Sequence, residues 1–192
     1  MLSQDEVKQV FKTCDALWEG HFLFSSGLHS NTYIQCARVS QYPKFNELLC
    51  RELAEFFREE QVNAVLGPAM GGIIIAYELA RQLNARALFT ERVEGEMKLR
   101  RGMNINAGER VLVVEDVITT GGTVKELVPV VEGKGAAIVG GAAFVNRNVE
   151  RVKFDFPFKA LLEGVMEDYL PEDCPLCREG IPLIKPGSKY IK

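Results

Sequence analysis

The run Val111-Leu112-Val113-Val114-Glu115-Asp116-Val117-Ile118-Thr119-Thr120-Gly121-Gly122-Thr123 constrains the fold more than any other stretch of the chain. Its first residues are apolar and mostly β-branched, which predicts a strand buried on both faces, as the centre of a parallel sheet requires. Two adjacent carboxylates are too costly inside such a sheet. Glu115 and Asp116 must therefore emerge at its carboxyl end, where open α/β folds bind ligands. The hydroxyls and glycines that follow supply turn conformations and backbone N–H groups able to close round a phosphate at a helix N-terminus. With the acids left for sugar hydroxyls, the segment reads as a cradle for ribose 5-phosphate. Thr123 and Glu126 have capping-box spacing, which places the helix start there. A βα loop that carries these residues for turning and capping alone is the alternative.

The 192 residues, 47% hydrophobic and 26% charged, fit one globular domain with a core of ordinary size. A net charge of -3 argues against nucleic acid as a partner. No apolar run approaches the roughly 20 residues that span a bilayer, and no basic-then-apolar leader opens the chain, so the expectation is a cytoplasmic protein with no membrane partner. The five cysteines are odd in number and scattered, which reads as reduced thiols.

Ser3 and Glu6 have capping-box spacing, with Leu2 and Val7 as a hydrophobic staple, and Val7, Val10, Phe11, Cys14, Leu17 and Trp18 recur on one face. This predicts a helix that runs until Gly20. Residues 21–37 mix aromatics with Ser, Gly and Asn and read as short strands with a turn near Ser26-Gly27-Leu28-His29-Ser30. A second helix starts near Pro43, and a strand at residues 64–66 leads into Gly67-Pro68-Ala69-Met70-Gly71-Gly72 and an apolar helix at about 73–83. Further strands are expected at 85–89, 136–145 and near 159–162. This strand–helix alternation predicts a parallel sheet with right-handed crossovers. Pro129 falls inside the helix that follows the cradle, so that helix is kinked or its first segment ends early. Beyond Asp168 an irregular tail is expected to pack on the domain.

Gly67 to Gly72 forms a second strand-to-helix turn at the same sheet edge and reads as a second anion site, or as a tight turn whose glycines only permit close packing. The polar segment from Glu91 to Gly102, which clusters cations at its end, reads as a mobile lid, with an exposed hairpin of solvated charge as the alternative. Cys174-Pro175-Leu176-Cys177 has the form of half a zinc knuckle, but a structural site needs two more ligands. His21 and His29 are remote in sequence, so free thiols in a turn are favoured over a metal shared between subunits or a redox pair.

The cradle resembles the phosphoribosyl diphosphate (PRPP) signature of the type I phosphoribosyltransferases, and its Val-Ile-Thr-Thr-Gly-Gly-Thr form is most similar to the orotate phosphoribosyltransferases. The resemblance covers nearly the whole chain. It implies an α/β fold whose parallel sheet has helices on both faces, with a core at about 60–165, a small hood from about 1–40 and the C-terminal tail, and a flexible lid loop. It implies transfer of ribose 5-phosphate from PRPP to orotate, Mg²⁺ on the diphosphate, and a homodimer that shares its lid.

Carried over by position, Glu115, Asp116, Val117, Ile118, Thr119, Thr120, Gly121, Gly122 and Thr123 hold PRPP, and Ala69, Met70 and Gly71 meet its pyrophosphate. Arg92 and Lys98 act on the departing pyrophosphate and join Glu115 and Asp116 as the catalytic set, while Thr119, Arg147, Ser26 and Gly27 meet orotate. Ser30 and Tyr33 complete the hood. The chain departs from the family where Gly95 and Met97 replace a lid lysine and histidine, and where Ser25 and Gly71 replace lysines. Lys98, Arg100 and Arg101 supply charge from shifted positions. A phosphoribosyltransferase for a purine or another nucleobase, or a PRPP-sensing regulator that binds RNA, is the alternative function.

Overall fold

The computed structural model describes residues 1–24, 26–147, 149, 152–164 and 166–186. Ser25 and Asn148, which follow the hood and base-site motifs, lie outside the described residues. Helix α1 (Gln4–Thr13) begins as the sequence dictates: the Glu6 amide donates to Ser3 Oγ at 3.3 Å, and the Ser3 amide donates to the Glu6 carboxylate at 2.8 Å. It ends much earlier than its apolar spacing suggested. Asp15 adopts a positive φ of 50°, and the chain turns into strand β1 (Leu17–Leu23), so Leu17, Trp18 and Gly20 are strand residues. Antiparallel pairing with β2 (His29–Ile34) and stacking of Trp18 on Tyr33, with ring centroids 5.5 Å apart, override the helical period there.

A short helix α2 (Ala37–Ser40) leads to α3 (Pro43–Phe56), which has proline at its first turn, where no backbone donor is lost. The central sheet then forms from β3 (Ala64–Pro68), helix α4 (Gly71–Leu83), β4 (Arg86–Val93), β5 (Glu96–Leu99), β6 (Arg110–Ile118), helix α5 (Gly122–Glu132), β7 (Ala137–Asn146) and β8 (Phe158–Glu163). Strand order is β5-β4-β3-β6-β7-β8, parallel except for β5. A second sheet, β1-β2-β9, with β9 at Asp168–Tyr169, forms the hood. The tail adds only the short helix α6 (Pro175–Arg178) and a bridge between Ile184 and Phe22.

Strand β6 is why the sheet is central. Leu112 and Val114 join one core cluster, with Leu53 of α3 and Leu79 of α4, while Val111 and Val113 join the other, with Leu127 and Val131 of α5. All four β6 side chains are fully buried, and burial of each contributes about 1.5–3 kcal/mol. The alternation carries past the core. Glu115 continues the α5-facing row and Asp116 the row facing α4.

Two details of α5 differ from expectation. The helix is entered through Gly121 at φ 74°, one residue before Gly122, so Thr123 lies inside the first turn and no Thr123–Glu126 capping box forms. A left-handed glycine opens the helix instead, and Glu126 is free to face Arg92. The helix also runs through Pro129 to Glu132. Lys125, whose carbonyl would lose its partner to that proline, is exposed to water, as is Pro129 itself. No helix among the described residues is long and apolar enough to cross a membrane.

Candidate active site

Glu115 and Asp116 end β6 side by side but in different surroundings. The Asp116 amide donates to Glu115 Oε1 at 3.0 Å, and the Val117 amide donates to Asp116 Oδ1 at 2.7 Å, so each acid caps the backbone that follows it. Glu115 is 8% exposed, and burial together with the neighbouring Asp116 charge pushes its carboxyl up to about 8. Asp116 lies against the other turn. A Cβ built on Gly71 would stand 2.5 Å from Asp116 Oδ2, so the absence of a side chain at position 71 is what lets the carboxylate rest there. Hood groups close the same corner: the Cys36 thiol donates to the Asp116 carbonyl at 3.7 Å, and burial with the Asp116 charge raises the Tyr33 phenol.

The turn after the acids has the form an anion needs. Glu115 and residues 117–123 line a small concavity of about 30 Å³ at the start of α5. The Gly122 amide donates to Thr120 Oγ1 at 3.3 Å, and the first-turn amides have no partner within the helix itself. Gly121 is required twice over, by its positive φ and because a Cβ there would come within 2.9 Å of Val152. In the second turn the glycines divide their work. Gly67 and Gly72 touch each other's backbone, which is close packing, whereas Gly71 faces Asp116. The Ala69–Met70 peptide is cis. The close-packing reading of this loop thus holds for Gly67 and Gly72.

Arg147 sits beside the cradle because its amide donates to the Ile118 carbonyl at 2.9 Å, which places it next to Thr119. Its guanidinium lies 3.9 Å from the Phe24 ring centroid and pairs with Asp168 of β9. The side chain is only 9% exposed, its Nε is buried with no hydrogen-bond partner, and burial lowers its affinity for a proton. Ser26 and Gly27 form the hairpin tip two residues beyond Phe24: the Gly27 amide donates to the Phe24 carbonyl, and the Leu28 amide to Ser26 Oγ. Phe24 and Asp168 were not foreseen. An isolated aromatic and an acid in a tail carry no local signal of their role.

The segment from Glu91 to Gly102 contains a hairpin, with the end of β4 paired antiparallel to β5. Glu94 and Gly95 both have positive φ, 53° and 88°, the two-residue turn that fits the twist of paired strands. Three of its cations are matched by the chain's own acids. Arg92 donates to Glu126 at 2.5 Å and to the Gly95 carbonyl at 2.6 Å, Lys98 pairs with Glu96 at 3.0 Å, and Arg101 pairs with Glu91 at 2.7 Å. Lys98 and Met97 border a cleft of about 730 Å³ between this hairpin and α5, which shares no lining residue with the small concavity at the acids. Within one chain, Arg92 and Lys98 are therefore bonded away from Glu115 and Asp116.

The phosphoribosyl transferase domain family matches residues 42–170, a span that includes both turns and Arg147. An orotate phosphoribosyltransferase of Caldicellulosiruptor saccharolyticus is 53% identical over 191 residues, with all of each chain covered. Among solved structures, orotate phosphoribosyltransferase from Aeropyrum pernix superposes with a TM-score of 0.66 at 23% identity, over 82% of this chain and 93% of that one. Adenine phosphoribosyltransferase from Rhodothermus marinus gives 0.62 at 22%, over 81% and 99%. The fold is thus shared by enzymes that take different bases, and full-length sequence identity makes the finer distinction: the chain belongs to the orotate phosphoribosyltransferase family.

Proposed function

We propose that the protein transfers ribose 5-phosphate from PRPP to orotate, giving orotidine 5′-phosphate and pyrophosphate for pyrimidine nucleotide synthesis. The observation that carries the choice of base is Arg147, a buried guanidinium with an unpartnered Nε, beside Thr119 at the edge of the phosphate turn. A planar, doubly donating cation suits the carboxylate of orotate, which adenine lacks.

The 5-phosphate takes the amides and hydroxyls from Thr119 to Thr123 at the start of α5, and Val117 and Ile118 set the position of that turn. Glu115 and Asp116 take the ribose hydroxyls, and the Asp116 charge favours the positive character that grows on the sugar as the bond to pyrophosphate lengthens. Ala69, Met70 and Gly71, at the start of α4, receive the pyrophosphate. The ring nitrogen of orotate displaces it directly, so no covalent enzyme nucleophile takes part and positioning supplies much of the rate. A Mg²⁺ ion on the diphosphate would supply positive charge against the departing pyrophosphate. The hard carboxylate oxygens at the end of β6, between the two turns, fit a cation held mainly by substrate phosphates.

Arg92 and Lys98 join this scheme by exchanging partners. Exposed ion pairs such as Arg92–Glu126 are worth only about 0–1 kcal/mol, so a polyanionic substrate competes readily for them. The reading includes a homodimer in which the hairpin serves the neighbouring site. Met70, Ile74 and Tyr77 follow one helical stripe at the start of α4 and are 82%, 48% and 65% exposed, an apolar face suited to a second copy of the chain. Tyr77→Asp is expected to yield monomers by light scattering, and a wild-type enzyme active as a monomer would remove the dimer from the scheme.

Supplying PRPP and Mg²⁺ with a panel of bases while pyrophosphate release is measured tests the central reading. Product with orotate and little with adenine, hypoxanthine or uracil is expected, and absence of product with orotate overturns it.

A further inference from the structure

His21 of β1, His29 of β2, and Cys174 and Cys177 at the ends of a Cys-x-x-Cys turn converge where the hood meets the tail. His21 Nε2, His29 Nδ1 and the two sulfurs all lie within 4.8 Å of one another. His21 Nε2 is 3.0 Å from His29 Nδ1, 3.4 Å from Cys174 Sγ and 3.7 Å from Cys177 Sγ, and Cys177 Sγ is 3.4 Å from His29 Nδ1. Around zinc, with bonds of about 2.0–2.1 Å to nitrogen and 2.3 Å to sulfur, a tetrahedron has nitrogen–nitrogen edges of roughly 3.3 Å and nitrogen–sulfur edges of roughly 3.6 Å. These four separations are close to those edges, and the remaining pairs, Cys174 Sγ with Cys177 Sγ and with His29 Nδ1, lie within 4.8 Å.

The surroundings suit a cation. His21 Nδ1 lies 2.7 Å from the Ile181 carbonyl, which can only accept, so Nδ1 carries the proton and the Nε2 lone pair points into the cluster. A backbone carbonyl that fixes a ligand's tautomer in this way is a regular partner of metal-bound histidine. His21, His29 and Cys174 are buried, and both cysteines are free thiols. Two nitrogens and two sulfurs match zinc in hardness and number, and four protein ligands leave no open position for catalysis.

We propose that His21, His29, Cys174 and Cys177 form a structural zinc site that ties the C-terminal tail to the hood. The link has work to do there. The tail is otherwise held to β1 chiefly by the paired bonds of Leu23 and His21 with Ile184, and the segment it anchors includes Asp168, the partner of Arg147. The zinc site thus supports the hood wall of the base pocket without touching substrate.

Untagged full-length protein, purified from zinc-supplemented culture and analysed for metal by mass spectrometry, should carry one zinc per chain. The Cys174→Ser/Cys177→Ser double variant should fall below about 0.1 zinc per chain, while Cys14→Ser keeps its metal. Should the double variant fail to fold, cobalt added to chelator-stripped wild type gives the second reading: tetrahedral d–d bands and a sulfur-to-cobalt charge-transfer band are expected. Chelation should lower Tm by roughly 10 °C, restored by zinc. Wild type that holds neither zinc nor tetrahedral cobalt, a Cys174–Cys177 disulfide in the purified protein, or zinc retained in the double variant each overturns the site.

Discussion

In the cradle, the acids, hydroxyls and amides proposed to meet the sugar phosphate all lie between Glu115 and Thr123, on one strand end and one helix start. In the hood, Phe24, Arg147 and Asp168 reach a common point from three distant segments, and Cys174 and Cys177 reach His21 and His29 in the same way. A strand that enters a helix places its own turn, so local geometry suffices for the cradle. The hood depends on Phe24, the end of β7, β9 and the tail meeting across long stretches of chain. Damage to the first should appear in chemistry, and damage to the second in recognition of the base and in stability.

The strongest challenge to that division is Asp116→Asn. It keeps the shape of the cradle but removes a charge beside the reacting carbon, and kcat should fall about 10²-fold or more with the circular dichroism spectrum unchanged. Unchanged turnover would take Asp116 out of the mechanism. Arg147→Ala should act on the base alone, raising KM for orotate about 50-fold with KM for PRPP nearly constant, as expected when a buried charged hydrogen bond is lost. Equal loss for both substrates would show that the hood and the cradle are not separable.

Gly71→Ala tests the contact between the two turns. Its Cβ would stand 2.5 Å from Asp116 Oδ2, so the carboxylate must swing away, and kcat/KM should drop about 10-fold with little change in Tm. A pH series separates the two acids. The folded-state pKa of Glu115 is raised to about 8, above its unfolded value of about 4.3, so the folded protein binds more protons between those limits. Its contribution to stability is full below the lower value and is lost as pH rises through the upper one. The carboxylate needed for the ribose forms over that same rise. Wild-type Tm should therefore fall, and kcat/KM for PRPP increase, as pH goes from 6 to 9, and Glu115→Gln should flatten both trends; equal slopes in the variant would assign them to another group. The smallest effect belongs to Glu126→Gln, which releases Arg92: Tm should move by no more than about 2 °C, because an exposed pair contributes little.

The parallel sheet, the order of its helices and the strand-to-helix turn after Asp116 were all readable from strand period and turn chemistry. Where local period misled, longer-range pairing was the reason: Leu17 and Trp18 fit a helix by spacing but are claimed by β2, and Thr123 fits a cap but is overtaken by the left-handed Gly121. The polarity of the segment from Glu91 to Gly102 carried no sign of strand pairing, which the Glu94-Gly95 turn sets by joining β4 to β5.

By itself the sequence determined the central strand, the emergence of Glu115 and Asp116 at its end, and the Thr/Gly turn into the next helix, because each follows from neighbours within a few residues. The tertiary structure alone decided that the two acids face opposite sides of the sheet into different surroundings, that Arg147 is enclosed by Phe24 and Asp168, and that two histidines complete the Cys-x-x-Cys turn. Those relations join residues far apart along the chain. Only packing, which excludes water and fixes distance, brings them within reach of one another.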